Sequence, residues 1–272
     1  MEIPVLDLGA AARPDSPFYV PVGREGEIFE AAWSSKLAVM LKGPTGCGKT
    51  RLVEYMAWRL SIPLFSVACH EDLTAGDLVG RYLLYGSATV WVDGPLTRAA
   101  KDGGICYLDE VVEARQDTTV LIHPLADHRR ELLGSNMGQS FEAAAGFCLV
   151  ISFNPGYQSL LKDLKASTRQ RFICLELGFP PVDVEEEILI KEAGIESALA
   201  TDLVRLGNAI RGLDGSGLRE TASTRLLVAA AQLTRHGVGV QDACIAAIVG
   251  PLTDDLEAHE GLTTMVEAYI KG

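Results

Sequence analysis

Residues 43 to 50, Gly43, Pro44, Thr45, Gly46, Cys47, Gly48, Lys49 and Thr50, follow the pattern G-x-x-x-x-G-K-[ST] directly after an apolar run. Glycines at those places let backbone N–H groups converge on phosphate oxygens with no Cβ in the way, and a helix starting beyond them adds a favourable dipole. The Lys49 ammonium suits the β- and γ-phosphates of a nucleoside triphosphate, and the Thr50 hydroxyl suits Mg²⁺. Further on, GICYLDE (Gly104 to Glu110) is an apolar strand that ends in two acids. Asp109, at the strand's C-terminal end, can hold the magnesium through water. Glu110 can accept a proton from an attacking water, a role that points to hydrolysis. Alone, such an acidic pair could merely cap a helix; beside a phosphate loop it reads as catalytic.

Three more segments add groups to this chemistry. ISFNPGYQ places Asn154 at the end of an apolar strand, where an amide can orient water and sense a phosphate, although Asn-Pro is also an ordinary turn signal. ASTRQRF carries Arg169 and Arg171. In a ring of subunits an arginine here can reach the neighbour's nucleotide and stabilise charge on the transferred phosphoryl group; the alternative is a solvated surface pair. Arg225, in TASTRLL, begins a helix whose N-terminal end can face the nucleotide from the lid side, and Ser-Thr-Arg there is equally ordinary capping. His123 and His128 bracket PLAD, but that spacing alone does not make a metal site.

Positioning these groups requires a parallel sheet. Apolar runs at residues 37–41, 63–68, 104–108, 147–153 and 172–177 read as buried strands, each too short for a helix. Helical patterns alternate with them, including Lys49 to Leu60 and Ala114 to Ala126. After GFPP (Gly178 to Pro181) only helical periodicity remains, at residues 182–193, 196–213, 223–236, 240–249 and 255–270, with the loop GLDGSG (Gly212 to Gly217) inside it. The expectation is an α/β core with a five-stranded parallel sheet between helices, spanning residues 1–177, followed by a small all-helical lid at 178–272. Two insertions interrupt the core, at about 77–97 and 130–142, the second patterned as a β-hairpin around GSNMG. Such insertions usually carry partner contacts.

The chain of 272 residues is 48% hydrophobic and 22% charged, which is the balance of a folded protein. A net charge of -12 disfavours a nucleic-acid binder, which needs a basic face to displace counterions. The N-terminus lacks the pattern of a signal peptide, and no apolar run approaches the roughly 18 to 20 residues that span a bilayer. Neither a membrane nor nucleic acid is expected as a partner, and the expected compartment is the cytoplasm. Cys47, Cys69, Cys106, Cys148, Cys174 and Cys244 form no CxxC pair and read as reduced packing residues.

Taken in order, these segments resemble the AAA+ ATPases: Walker A, Walker B, a sensor-1 asparagine, arginine fingers and a sensor-2 arginine. The two insertions are similar to those of the MoxR branch. GPTGCGKTRLVEYMAWRL, CYLDEVVEARQDTTVLIHPLADHRREL and NPGYQSLLKDLKASTRQRF resemble the CbbQ/NirQ/NorQ group, and most of all its CbbQ members. The resemblance implies ATP and Mg²⁺ as ligands, a homo-hexamer, and a CbbO-like partner carrying a von Willebrand factor A domain. For the CbbQ type it implies Rubisco as client, with tightly bound sugar phosphates released from the inhibited enzyme. For the NorQ and NirQ types it implies activation or metal-centre maturation of a nitric oxide or nitrite reductase. It also implies that FYVPVGRE (Phe18 to Glu25) lies where such proteins contact adenine. Two other classes stay open on the residues: a nucleotide-dependent binding module that hydrolyses little, and a small-molecule kinase, which shares the phosphate loop but needs neither a separate lid nor a ring.

Overall fold

The computed structural model describes residues 17–132, 140–155, 164–213, 218 and 220–270. Its strands, in chain order, are β1 (Ala38–Lys42), β2 (Leu64–Ala68), β3 (Gly80–Tyr85), β4 (Ala88–Asp93), β5 (Ile105–Asp109), β6 (Glu131–Leu132), β7 (Phe141–Glu142), β8 (Cys148–Phe153) and β9 (Phe172–Glu176). In the first half the helices are α1 (Glu25–Ser34), α2 (Lys49–Leu60), α3 (Ala75–Val79), α4 (Pro95–Asp102), α5 (Gln116–Leu121) and α6 (Ala166–Arg169). In the second they are α7 (Val182–Ala193), α8 (Ser197–Arg211), α9 (Thr224–Arg235), α10 (Val240–Cys244), α11 (Gly250–Leu252) and α12 (Leu256–Tyr269).

Five strands make one parallel sheet in the order β2-β5-β8-β1-β9. Val39 of β1 lies opposite Val150 of β8 on one side and Ile173 of β9 on the other. All six residues of β8 are buried, as are the first four of β1 and of β5. Strands covered on both faces need apolar residues at every position, which is why the sequence shows continuous runs rather than alternation. All five expected strands are present, with ends shifted by a residue at most. Helix α2 spans the residues its pattern predicts, burying Leu52, Val53, Met56 and Ala57 along one stripe.

One expected helix is shorter than its pattern. Over Ala114–Ala126 only Gln116–Leu121 is helical, and the chain then turns through His123 to Asp127. Pro124 explains the early stop: it lacks an N–H and disfavours helical geometry at the residue before it. Bonds from the Leu125 and Ala126 amides to the Ile122 carbonyl hold the turn. In the second half, the pattern at 240–249 is α10 followed by a π-turn at Ile245–Val249. There the Gly250 N–H bonds the Ile245 carbonyl five residues back, immediately before Pro251.

Both insertions contain paired strands. The first holds the antiparallel hairpin β3–β4, in which Tyr82 pairs with Trp91, and its tip exposes Leu84 (77%) and Tyr85 (70%). In the second, Leu132 pairs with Phe141 and Glu131 with Glu142. The turn of that hairpin, around Asn136 to Gly138, lies outside the described residues, as do Gly156 to Gln158 and most of the GLDGSG loop.

The chain divides into two compact units, one made of the residues up to Lys42 with Lys49–Glu176, the other of Gly43–Gly48 with Leu177–Gly272. The first is organised around Met40, Cys106, Leu108, Ile151 and Phe153 of the sheet. The second is organised around Leu189, Leu203, Leu227, Ile248 and Val266. Five of the six cysteines are buried and Cys174 is exposed; all six are free thiols.

Candidate active site

The phosphate-loop residues Gly43 to Gly48 form the turn between β1 and α2, and Gly46 (φ +70°) and Gly48 (φ +98°) take left-handed backbone conformations. A side chain resists that geometry, so glycine is required by the backbone itself. Gly46 is constrained a second way: a Cβ there would lie 2.6 Å from the Cβ of Ser223.

Directly after the loop, Lys49 is buried in the first turn of α2, and its Nζ donates to Asn154 Oδ1 at 2.5 Å. A buried ammonium needs a polar partner, and the Asn154 carbonyl at the end of β8 supplies one. The other end of the same amide faces Glu110: Asn154 Nδ2 donates to Glu110 Oε1 at 3.3 Å. One side chain therefore links the loop lysine to the second acid of GICYLDE.

Asp109 ends β5 and accepts from Tyr107 OH (2.7 Å) and from Ser152 Oγ. Ser152 in turn accepts from the Glu110 N–H at 3.1 Å. Thr50 Oγ1 lies 3.5 Å from Tyr107 OH, so the hydroxyl, the phenol and the Asp109 carboxylate form one chain of oxygens. Burial, followed by the charge of Asp109, pushes the Tyr107 phenol above its ordinary value, which keeps it a proton donor to that carboxylate. Glu110 itself has φ +54°, a conformation that costs a non-glycine residue about 1–3 kcal/mol and recurs at functional positions. Behind the acids, burial and then the Asp109 and Glu110 carboxylates push the Cys69 thiol up to about 12, so it is neutral and takes no anionic role.

Thr50 and Asp109 present hard oxygen donors, the ligand class that magnesium prefers, and the residues present fit that ion. The structure thus brings Lys49, Thr50, Asp109, Glu110 and Asn154 into one cluster. Sequence reasoning missed Tyr107 and Ser152, which hold Asp109 and the Glu110 amide. A signal was present: Ser152 is a polar residue in the otherwise apolar strand CLVISF, and Tyr107 lies two positions before Asp109, on the same face.

Arg169 and Arg171 occupy a different place, on and just after the short helix α6. Arg169 is exposed, whereas Arg171 folds back to donate to the Ser167 carbonyl. Thr168 between them is buried, with its Oγ1 2.9 Å from His123 Nε2. His123 thus packs on α6, and no group of three or more candidate metal ligands occurs among the described residues. Arg225 is exposed at the second position of α9, where the Ser223 hydroxyl caps the Leu226 N–H at 3.4 Å. In FYVPVGRE, Glu25 accepts from Tyr19 OH (2.9 Å) and from the Val22 and Gly23 amides (2.8 Å each), which fixes the approach to α1. No described helix is long and apolar enough to cross a membrane.

Comparison with known proteins is consistent with this geometry. Residues 38–172 match the AAA domain (dynein-related subfamily), and residues 185–269 match the CbbQ/NirQ/NorQ C-terminal family. The chain is 52% identical to the denitrification regulatory protein NirQ of Stutzerimonas stutzeri, over 99% of this chain and 96% of that one. It is 57% identical to the protein NorQ of Paracoccus denitrificans, over 93% and 94% of the two chains. With the protein CbbQ of Hydrogenophilus thermoluteolus it shares 56% identity, over 90% and 92%. Among solved structures, NtrX of Brucella abortus in complex with ADP superposes with a TM-score of 0.54 at 17% identity, covering 89% of this chain and 60% of that one. RuvB of Thermotoga maritima gives 0.53 at 17%, covering 89% and 70%. These two likenesses speak for the fold alone. Sheet order, site chemistry and the two family matches lead to one assignment: the chain is an AAA+ ATPase of the CbbQ/NirQ/NorQ family.

Proposed function

We propose that this ATPase is a remodelling motor that works as a homo-hexamer with a CbbO-like partner bearing a von Willebrand factor A domain, in the cytoplasm, and that its client is inhibited Rubisco. In this reading ATP turnover drives release of tightly bound sugar phosphates from the client. The observation that carries the motor reading is the Asn154 amide, which joins Lys49 to Glu110 and so ties the phosphate-holding group to the hydrolytic one.

The assigned roles follow from chemistry. The loop N–H groups of 43–48 and the Lys49 ammonium bind the phosphates and neutralise their charge. Thr50 and Asp109 would hold Mg²⁺, which would supply charge neutralisation at the phosphates. Asn154 orients the attacking water, and Glu110 accepts its proton. Arg169 or Arg171 of a neighbouring subunit stabilises the charge on the transferred phosphoryl group, and Arg225 senses the nucleotide from the helical unit. In this reading a core at 1–177 and a lid at 178–272 would be the two bodies whose relative motion transmits force.

A second client is supported by the 57% and 52% identities to NorQ and NirQ, which bracket the 56% identity to CbbQ. In that reading the motor activates a nitric oxide or nitrite reductase. The test is to purify the chain with its partner protein and measure ATP hydrolysis together with recovery of carboxylation by sugar-phosphate-inhibited Rubisco. Hydrolysis coupled to recovered carboxylation supports the Rubisco reading. Hydrolysis with no effect on Rubisco, but with activation of a reductase in the same assay format, replaces it. Absence of ATP hydrolysis by the complex overturns the motor.

A further inference from the structure

Within the unit that holds the phosphate loop and the C-terminal helices, an ion pair is largely removed from solvent. Glu185, on the first turns of α7, is 0% exposed. Its Oε2 accepts from Arg211 Nη1 and its Oε1 from Arg211 Nη2, both at 2.7 Å. Oε1 also accepts from the Thr224 hydroxyl at 2.6 Å. Arg211, the last residue of α8, uses Nε to donate to the Ala222 carbonyl at 2.7 Å, and its guanidinium lies 4.0 Å from the centre of the Phe179 ring. Glu185, Arg211, Phe179, Ala222 and Thr224 thus tie the segment after the sheet, the helices α7 and α8, and the start of α9 into one knot.

A buried pair of this kind is a poor source of stability, because desolvating two charges offsets most of their attraction. What it supplies is orientation, since a bidentate pair fixes both partners in one geometry. The segment it holds is Ala222 to Thr224, which leads into Arg225. Ala222, Ser223 and Thr224 are all buried and each is held: Ala222 by Arg211, Thr224 by Glu185, and Ser223 by its bond to the Leu226 N–H and its packing against Gly46 of the phosphate loop. The next residue, Arg225, is exposed, with its Cβ 3.3 Å from where a Cβ on Gly46 would lie. An exposed cation therefore projects from a three-residue base that is clamped beside the loop.

We infer that Glu185 and Arg211, acting through Thr224, are positioning residues that fix Arg225 at a set distance from the phosphate loop. The inference rests on the reading of Arg225 as a nucleotide-sensing residue. Substituting Glu185 strands a buried guanidinium and can prevent folding, so the informative variant is Thr224→Val. It removes only the hydroxyl link and leaves the ion pair in place. The experiment compares full-length wild type, Thr224→Val, Thr224→Ser, Arg225→Ala and the Thr224→Val/Arg225→Ala double variant, measuring kcat and KM for ATP and the melting temperature without nucleotide.

The expected result is a fall of about tenfold in kcat/KM for Thr224→Val with a melting temperature close to wild type. Thr224→Ser should restore the loss, and the double variant should fall no further than Arg225→Ala alone, because both changes remove one function. Unchanged kcat/KM in Thr224→Val, or effects that multiply in the double variant, would overturn the inference while leaving Arg225 assigned. If Arg225→Ala itself leaves kcat/KM unchanged, the reading of Arg225 falls, and the inference with it.

Discussion

The amide of Asn154 is the pivot of the site because its two ends differ. Its carbonyl serves the Lys49 ammonium and its NH₂ serves the Glu110 carboxylate. Asn154→Asp would place an acceptor-only group against Glu110, a like-charge contact, and kcat should fall by about 10² while ATP still binds. Glu110→Gln keeps the size and the contact to Asn154 but removes the proposed base, so turnover should drop by about 10²–10⁴ with binding of a fluorescent ATP analogue retained. His123 gives a prediction of opposite kind, in stability. Burial is the main cause holding its imidazole below the ordinary value of 6.5, and the positive charges of Arg171 and Lys165 add to it against Asp127. The folded chain therefore takes up this proton at lower pH than the unfolded chain. Its contribution is whole above about 6.5 and is lost as pH falls through the folded value. Denaturant titrations should show His123→Gln flattening the decline in unfolding free energy as pH falls below about 6.5, and an unchanged decline would exclude His123 as its source. At this scale the sequence is readable where function is contiguous, as in 43–50, and opaque where partners are remote. Nothing in GICYLDE says that Ser152, on the neighbouring strand, will bond the Asp109 carboxylate and the Glu110 amide.

Elements built on one strong period were legible. The five parallel strands and α2 follow from apolar runs and a single apolar stripe, since burial on both faces or on one leaves an unambiguous pattern. The helix over 114–126 was overestimated because periodicity alone does not register the backbone cost at Pro124. The small hairpin β6–β7 was legible as a pattern, but what anchors it was not. Arg130, buried and left-handed at φ +51°, donates from Nη1 to the Lys36 carbonyl (3.0 Å) and from Nη2 to the Ala144 and Phe147 carbonyls (3.1 Å each). The described hydrogen bonds of its side chain run to backbone carbonyls, so it fastens the hairpin base to the segments that lead into β1 and β8. Arg130→Ala should lower unfolding free energy by about 3 kcal/mol, measured by urea denaturation. A change within about 0.5 kcal/mol would show that the hairpin base is held by other contacts.

At the scale of the whole molecule, two family matches cover both halves of the chain, and the sheet-then-helices order of the sequence anticipated their sequence. The client is not written at this scale, because relatives named for different systems share nearly the same identity with this chain. The proposed site is completed between subunits, with Glu110 as base in cis and an arginine of α6 or its end in trans. Mixing tests this most directly. Glu110→Gln subunits carry the arginines without the base, and Arg169→Ala/Arg171→Ala subunits carry the base without the arginines, so each alone should hydrolyse ATP at a small fraction of the wild-type rate. After subunit exchange, followed by labelling of the two variants, the mixture should regain ATP turnover well above either parent. Exchange without any recovery of turnover would contradict a trans arginine and the shared site.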